Sequence, residues 1–290
     1  MSKISTCMAA LFVLFLAGTA RSDEEKIQNA TFGIEINTNV TATLRGERRR
    51  IQIHTELGIR RERSDSSKAV KLFDRGRATI VKVDGLLVYD SVVDADKIIV
   101  KNPDGTHETY LKDLPAEEKA KHQARFVHPL ATITVNDKEG EAARELNKDI
   151  YSGDSDEGLI GNFMLMHGKF LQAKGTWEEE HCVGIGDYVM RGKLQQETVG
   201  ALEDNARQFR VKISGTLKLE NLKFSPEIIL DTKCEVSGEK IYDLDKQDYV
   251  SGSLELKHVG NTTEASEVKG SLVGTTQLTL SLKDESKKDP

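Results

Sequence analysis

The sequence predicts a mainly β protein: a long curved antiparallel sheet or open barrel with a short helical segment in the middle. Three observations carry this expectation. Apolar and polar residues alternate with period two over most of the chain, the pattern of half-buried strands. Turn signals such as Asp84-Gly85 and Asn102-Pro103-Asp104-Gly105 punctuate the alternation. Glycines recur inside the C-terminal strand patterns, where they mark the bends that a curved sheet needs.

Residues 1–20 read as a signal peptide. Lys3 precedes an apolar run from Met8 to Ala17, and the small residues Gly18 and Ala20 set up a cleavage site. The run is about ten residues, whereas a membrane-spanning helix takes about twenty. The expected address is therefore extracytoplasmic, either periplasmic or secreted. Residues 21–30 read as a flexible N-terminal arm.

Residues 31–140 form the N-terminal β-rich half. Val40, Ala42 and Leu44 alternate towards a turn at Arg45-Gly46-Glu47. Ile51, Ile53, Thr55, Leu57 and Ile59 then fall on one face, with Gln52, His54, Glu56 and Gly58 on the other. Further strands are expected at Ala78–Val83, Leu86–Tyr89, Ile98–Lys101 and Ala131–Val135. Between them, Pro115-Ala116-Glu117-Glu118-Lys119 opens a short polar helix, with proline early and acids in the first turn.

Residues 141–174 read as a helical connector. A helix from Asp156 to about His167 would place Leu159, Ile160, Phe163, Met164 and His167 on one face, capped by Asp154 or Ser155. Gly158 and Gly161 oppose it, at about 1 kcal/mol each against alanine.

Residues 175–283 form the C-terminal antiparallel β half, followed by a polar tail at 284–290. This half contains a small repeat. Ser214-Gly215-Thr216-Leu217-Lys218-Leu219-Glu220 is echoed by Ser251-Gly252-Ser253-Leu254-Glu255-Leu256-Lys257, and more briefly at Lys269-Gly270-Ser271-Leu272.

The charge balance narrows the function. Without Lys3 of the leader, 40 Lys and Arg face 47 Asp and Glu, a mild acidity that disfavours a general nucleic-acid binder. No second long apolar run is present, so no transmembrane helix is expected. Loss of the leader also removes Cys7 and leaves Cys182 and Cys234. An even pair in an oxidising compartment reads as one disulfide. The competing role, a metal or redox site beside His181, lacks the clustered ligands of zinc and the spacing of a redox pair.

The chain resembles a family of uncharacterised secreted bacterial proteins, a domain of unknown function found behind signal peptides. The resembling residues are Gly85-Leu86-Leu87-Val88-Tyr89-Asp90-Ser91 and Leu130-Ala131-Thr132-Ile133-Thr134-Val135-Asn136-Asp137-Lys138-Glu139-Gly140-Glu141, then Gly168–Gly175 leading into Thr176-Trp177. The resemblance implies an extracytoplasmic β protein and transfers no site residue.

No catalytic constellation emerges from the residues themselves. Gly184-Ile185-Gly186 lacks the third glycine and the βαβ setting of a phosphate loop. No G-x-S-x-G elbow is present, and the seven histidines show no metal-ligand spacing. Glu178-Glu179-Glu180 beside Trp177 has the composition of a glycosidase site, but on a strand its acids alternate faces. No cofactor and no metal are expected. Arginines gather at 45, 48, 49, 50, 60, 61 and 63; Arg48, Arg50, Arg60 and Arg61 are the candidate patch for polyanions such as acidic glycans or lipid head groups, or else the solvated side of a strand. Asn29, Asn39 and Asn261 sit in glycosylation sequons.

Two functions follow. The first is a non-catalytic binding protein that holds an apolar ligand or lipid in its curved sheet, with Phe163, Met164 and Met166 lining a cavity too large for side chains to fill. The second is a structural or protein-interaction component of the cell envelope with a filled core.

Overall fold

A computed structural model describes residues 30–63, 68–82, 87–127, 131–136, 141–146, 161–163, 165–171, 175–185, 188–225, 228–264 and 266–283. The expected leader and most of the arm, Met164, the Asp84-Gly85 turn and the tail lie outside them.

Period-two alternation produces strands almost throughout. The N-terminal half gives β1 (Ala30–Leu44), β2 (Glu47–Arg63), β3 (Lys68–Lys82), β4 (Leu87–Val93), β5 (Lys97–Asn102) and β6 (Gly105–Tyr110). The expected polar helix follows as α1 (Ala116–Val127), with Pro115 C=O accepting from Lys119 N–H in its first turn. Next come β7 (Ala131–Asn136), β8 (Glu141–Leu146) and the two-residue β9 (Phe170–Leu171). The C-terminal half gives β10 (Thr176–Ile185), β11 (Tyr188–Ala201), β12 (Gln208–Ser225), β13 (Ile228–Asp243), β14 (Asp248–Thr262) and β15 (Gly270–Lys283). The connector expected at 141–174 is thus not wholly helical: β8 and β9 lie in it, and helix is present at 161–163 and 165–167.

All these strands belong to one antiparallel sheet with the order β10-β11-β12-β13-β14-β15-β1-β2-β3-β4-β5-β6. The two sequence halves share it because β1 pairs with β15, bringing Phe32 beside Leu282 and Thr38 beside Thr276. The sheet forks at β3: Lys68–Lys71 pair with β7, while Gly76–Val81 pair with β4. It is curved and does not close into a barrel; β10 and β6 are the ends of the main path.

Mid-strand glycines allow close approach of neighbouring strands. Gly215 and Gly238 have φ +153°, a conformation that side chains disfavour. A Cβ at Gly238 would lie 2.2 Å from the Ser253 carbonyl oxygen of the next strand, so the backbones approach there as only glycine permits.

The inner face of the curve carries the core. Phe32, Ile34, Leu57, Ile59, Leu278 and Leu280 from the sheet centre meet Val211, Ile213, Val236 and Leu254. The segment 161–171 lies across this face as a plug. Met166 Cε is 3.1 Å from the place a Gly252 side chain would take, so the glycine makes its seat. Lys240 Nζ donates to the Leu165 carbonyl at 3.0 Å, and Tyr249 Oη donates to the Lys169 carbonyl at 2.8 Å.

Candidate functional site

The inner face has two different ends. At the plug end, pairs such as Phe32–Ile59 and Ile34–Leu57 are buried to within a few per cent. At the other end, near the β1–β2 turn, the same face continues with Val40, Leu44, Ile51, Ile53 and Leu272, and all five are only partly buried. Register holds them together: Val40 pairs with Ile51, Thr38 with Ile53, and Ala42 with Leu272. Leu44 leans over Gly270, whose missing side chain leaves it room. These residues form a partly open apolar wall across β15, β1 and β2.

Between the wall and the core runs a short polar row. Thr38 Oγ1 and Thr276 Oγ1 are 2.8 Å apart, and Thr276 Oγ1 is 2.8 Å from His258 Nε2. All three side chains are buried. Burial pushes the His258 imidazole down to about 4, so it is neutral at physiological pH. Cys234 is the register partner of His258 on β13; burial, with some help from the neighbouring Glu235 charge, pushes its thiol up to about 12. That thiol is therefore no nucleophile.

The plug is tied to the sheet by buried charges that sequence reasoning missed. Lys71 Nζ lies 2.6 Å from Asp248 Oδ2 and donates to His167 Nδ1 at 2.6 Å. Arg61 Nη1 reaches Asp248 Oδ2 at 3.3 Å and donates to the Lys246 carbonyl at 2.6 Å. His167 sits between the rings of Phe32 and Phe163, with centroids 5.4 and 4.9 Å away. A second buried group lies on β10 and β11. Gln196 Nε2 donates to Glu179 Oε2 at 2.7 Å and lies 3.1 Å from His181 Nε2. Burial works to raise the Glu179 pKa, but the hydrogen bond and charge of His181, with Lys240 and Gln196, outweigh it and leave the carboxyl below its ordinary value. Glu178 and Glu180 point to the exposed side, so the acidic triplet does not converge.

Several expected sites change. Phe163 and Met166 are 1% and 0% exposed and form the plug, so they fill the inner face rather than line a cavity; Met164 lies outside the described residues. The arginine patch divides because adjacent strand residues face opposite ways. Arg48 and Arg50 are exposed on the outer face. Arg60, also outward, is held by Glu62 at 2.7 Å and Asp74 at 4.0 Å, ten residues up the strand from Arg50. Arg61 turns inward and is buried. Cys182 and Cys234 are not joined to each other. They lie on β10 and β13 with two strands between, about 14 Å apart at the usual strand spacing. A disulfide requires Cα atoms within about 7 Å. Their faces also differ: Cys182 pairs with the exposed Arg191, whereas Cys234 is in the core.

At the β10 edge, a depression of about 470 Å³ is lined by Glu180, His181, Cys182, Arg191, Gly192 and Lys193. Among the described residues no group of His, Cys, Asp and Glu is arranged to hold a metal ion, and no helix is long and apolar enough to cross a membrane.

No known protein family and no curated protein matches this chain. Three solved structures share its β-rich outline at low identity. A lipovitellin structure, titled for lipid–protein interactions, is 9% identical with a TM-score of 0.43. It covers 90% of this chain, which spans 26% of the lipovitellin chain. The outer membrane protein OmpT of Vibrio cholerae is 8% identical over 88% of this chain and 100% of its own, with a TM-score of 0.19. The translocator domain of the autotransporter NalP from Neisseria meningitidis is 10% identical, covering 95% of this chain and 96% of its own at 0.16. At these scores the likenesses bear no functional weight, and the site rests on its own geometry.

Proposed function

We propose that this protein is a non-catalytic binding protein that holds an elongated apolar molecule, such as a lipid chain, against the wall formed by β15, β1 and β2, and that it works outside the cytoplasm. One observation carries this reading: Val40, Leu44, Ile51, Ile53 and Leu272 continue the core-facing side of the sheet yet remain partly exposed. An apolar wall continuous with a core, and only partly buried, is a usual form of a site for an apolar ligand. The leader-like stretch at 1–20 supports the extracytoplasmic address.

The filled plug end favours the alternative, a structural or interaction role, for that half of the sheet. Binding of N-phenyl-1-naphthylamine separates the two. The wild type is expected to enhance the dye's fluorescence saturably. Ile51→Glu on the inner face should weaken the effect at least about tenfold, since a buried charge must be desolvated. Gln52→Glu on the outer face should leave it unchanged. Equal loss in both variants, or no enhancement at all, would remove the binding reading.

A further inference from the structure

The polar row beside the apolar wall ends in groups that have no hydrogen-bond partner among the described residues. His258 Nε2 is engaged by Thr276, and Thr276 by Thr38. His258 Nδ1 is buried and makes no hydrogen bond. So is Thr232 Oγ1, on the strand beside His258. The two side chains sit on one face, because Cys234 is the register partner of His258 and Thr232 that of Gly260, two residues further along. Such atoms are costly to bury unpaired, and these two lie on adjacent strands of one face, two residues of register apart.

The surroundings give them a direction. Gly274 is the register partner of His258 on β15, and Gly260 follows on the same face of β14. The place a Gly260 side chain would take is 2.8 Å from Thr232 Oγ1 and 3.4 Å from Leu272 Cβ, so Thr232 lies beside the wall. Gly274 in turn pairs with Val40 of the open wall. Two strand spacings, about 10 Å, therefore separate His258 from Val40, while Leu272 of the wall is on the adjacent strand.

We propose that His258 and Thr232 form the polar end of the apolar site, and that its ligand is an apolar molecule carrying a neutral hydroxyl or carbonyl group. The group is neutral because a buried, uncharged imidazole offers hydrogen bonds and no counter-charge. His258 is held in its neutral form by burial, which is unfavourable ground for a carboxylate or phosphate. The Thr38–Thr276–His258 row fixes the ring, and either tautomer serves: Nδ1–H donates to a carbonyl, or bare Nδ1 accepts from a hydroxyl. A site built around such groups discriminates strongly against analogues that leave them unpaired. The inference rests on the apolar-site reading above.

The test uses the full chain with 1-dodecanol and dodecane, each delivered from methyl-β-cyclodextrin. Dodecanol is expected to bind more tightly to the wild type than dodecane. In His258→Phe its affinity should fall about tenfold while that of dodecane changes less than about twofold. Because that variant could fold poorly, a second readout uses the wild type alone. The 15N resonance of His258 Nδ1 should shift with dodecanol and stay in place with dodecane. If both ligands bind equally well and Nδ1 does not respond, the polar end is overturned while the apolar site stands. If neither ligand binds, both fall together.

Discussion

Lys71 and Asp248 form an ion pair of 2.6 Å in which both side chains are 0% exposed, linking β3 to the first residue of β14. These strands are four positions apart in the sheet, and the pair bridges them through the interior of the curve. With Arg61 on the same carboxylate and Lys71 also donating to His167 Nδ1, the Lys71–Asp248 pair anchors the plug. Removing one member of a buried pair strands the others in low dielectric. Asp248→Asn is therefore expected to lose about 3–5 kcal/mol in urea unfolding. Lys71→Met combined with Asp248→Leu should lose less than the sum of its singles, because the double change removes both ions.

His258 makes stability depend on pH. Its folded pKa of about 4 lies below the 6.5 of an unfolded chain, so on acidification the unfolded state takes up the proton first. The stability contribution is complete above about pH 6.5 and is lost as pH falls towards 4, amounting to about 3 kcal/mol. Thermal unfolding of wild type and His258→Asn between pH 7.5 and 4.5 checks this. The wild type should lose more stability over that range than the variant.

Gly238 is predicted to be the least replaceable of the mid-strand glycines. Alanine there meets the Ser253 carbonyl at 2.2 Å in a backbone conformation of φ +153°, so Gly238→Ala should cost more than about 2 kcal/mol. Gly46, at φ +82° with nothing within 4 Å of a Cβ, should cost only about 1 kcal/mol on the same change. Equilibrium denaturation of the two variants side by side gives the comparison.

The separated cysteines predict indifference to reductant. Dithiothreitol should leave the melting temperature unchanged within about 1 °C, since no 182–234 loop is closed. With its thiol held near 12, Cys234 should alkylate roughly a thousandfold more slowly at pH 8 in the native protein than in urea. Mass spectrometry after timed iodoacetamide treatment reads both states.

Local pattern reached far into this fold. The run Ile51–Ile59 gave β2 its inner face, and two glycines of the repeat sit where a side chain would not fit, Gly215 at φ +153° and Gly252 under Met166. What it missed is what depends on partners distant in the chain. Arg60 and Arg61 look alike in sequence, yet one step along a strand sends the first to solvent and the second into the core. Asp248 closes Asp245-Lys246-Gln247-Asp248, which has the composition of an exposed turn, and nothing local marks it as the buried anchor. The cysteines were paired by compartment logic, which carries no information on strand order. His258 gave no signal either: its meaning comes from Thr276 and Thr38, and the latter is 220 residues away in the chain.

The pairing of β1 with β15 has a consequence for assembly. The first strand finds one of its two neighbours at once, across the tight turn at Arg45-Gly46, but the other is the last strand of the sheet. Until that strand is synthesised, the Phe32–Ile36 stretch has a bare hydrogen-bonding edge. Such contacts of high sequence separation slow folding, and an unpaired apolar edge recruits other chains. The centre of the sheet is thus the final part to be completed. A chain still being synthesised would have to be kept apart from its copies until its C-terminal end arrived.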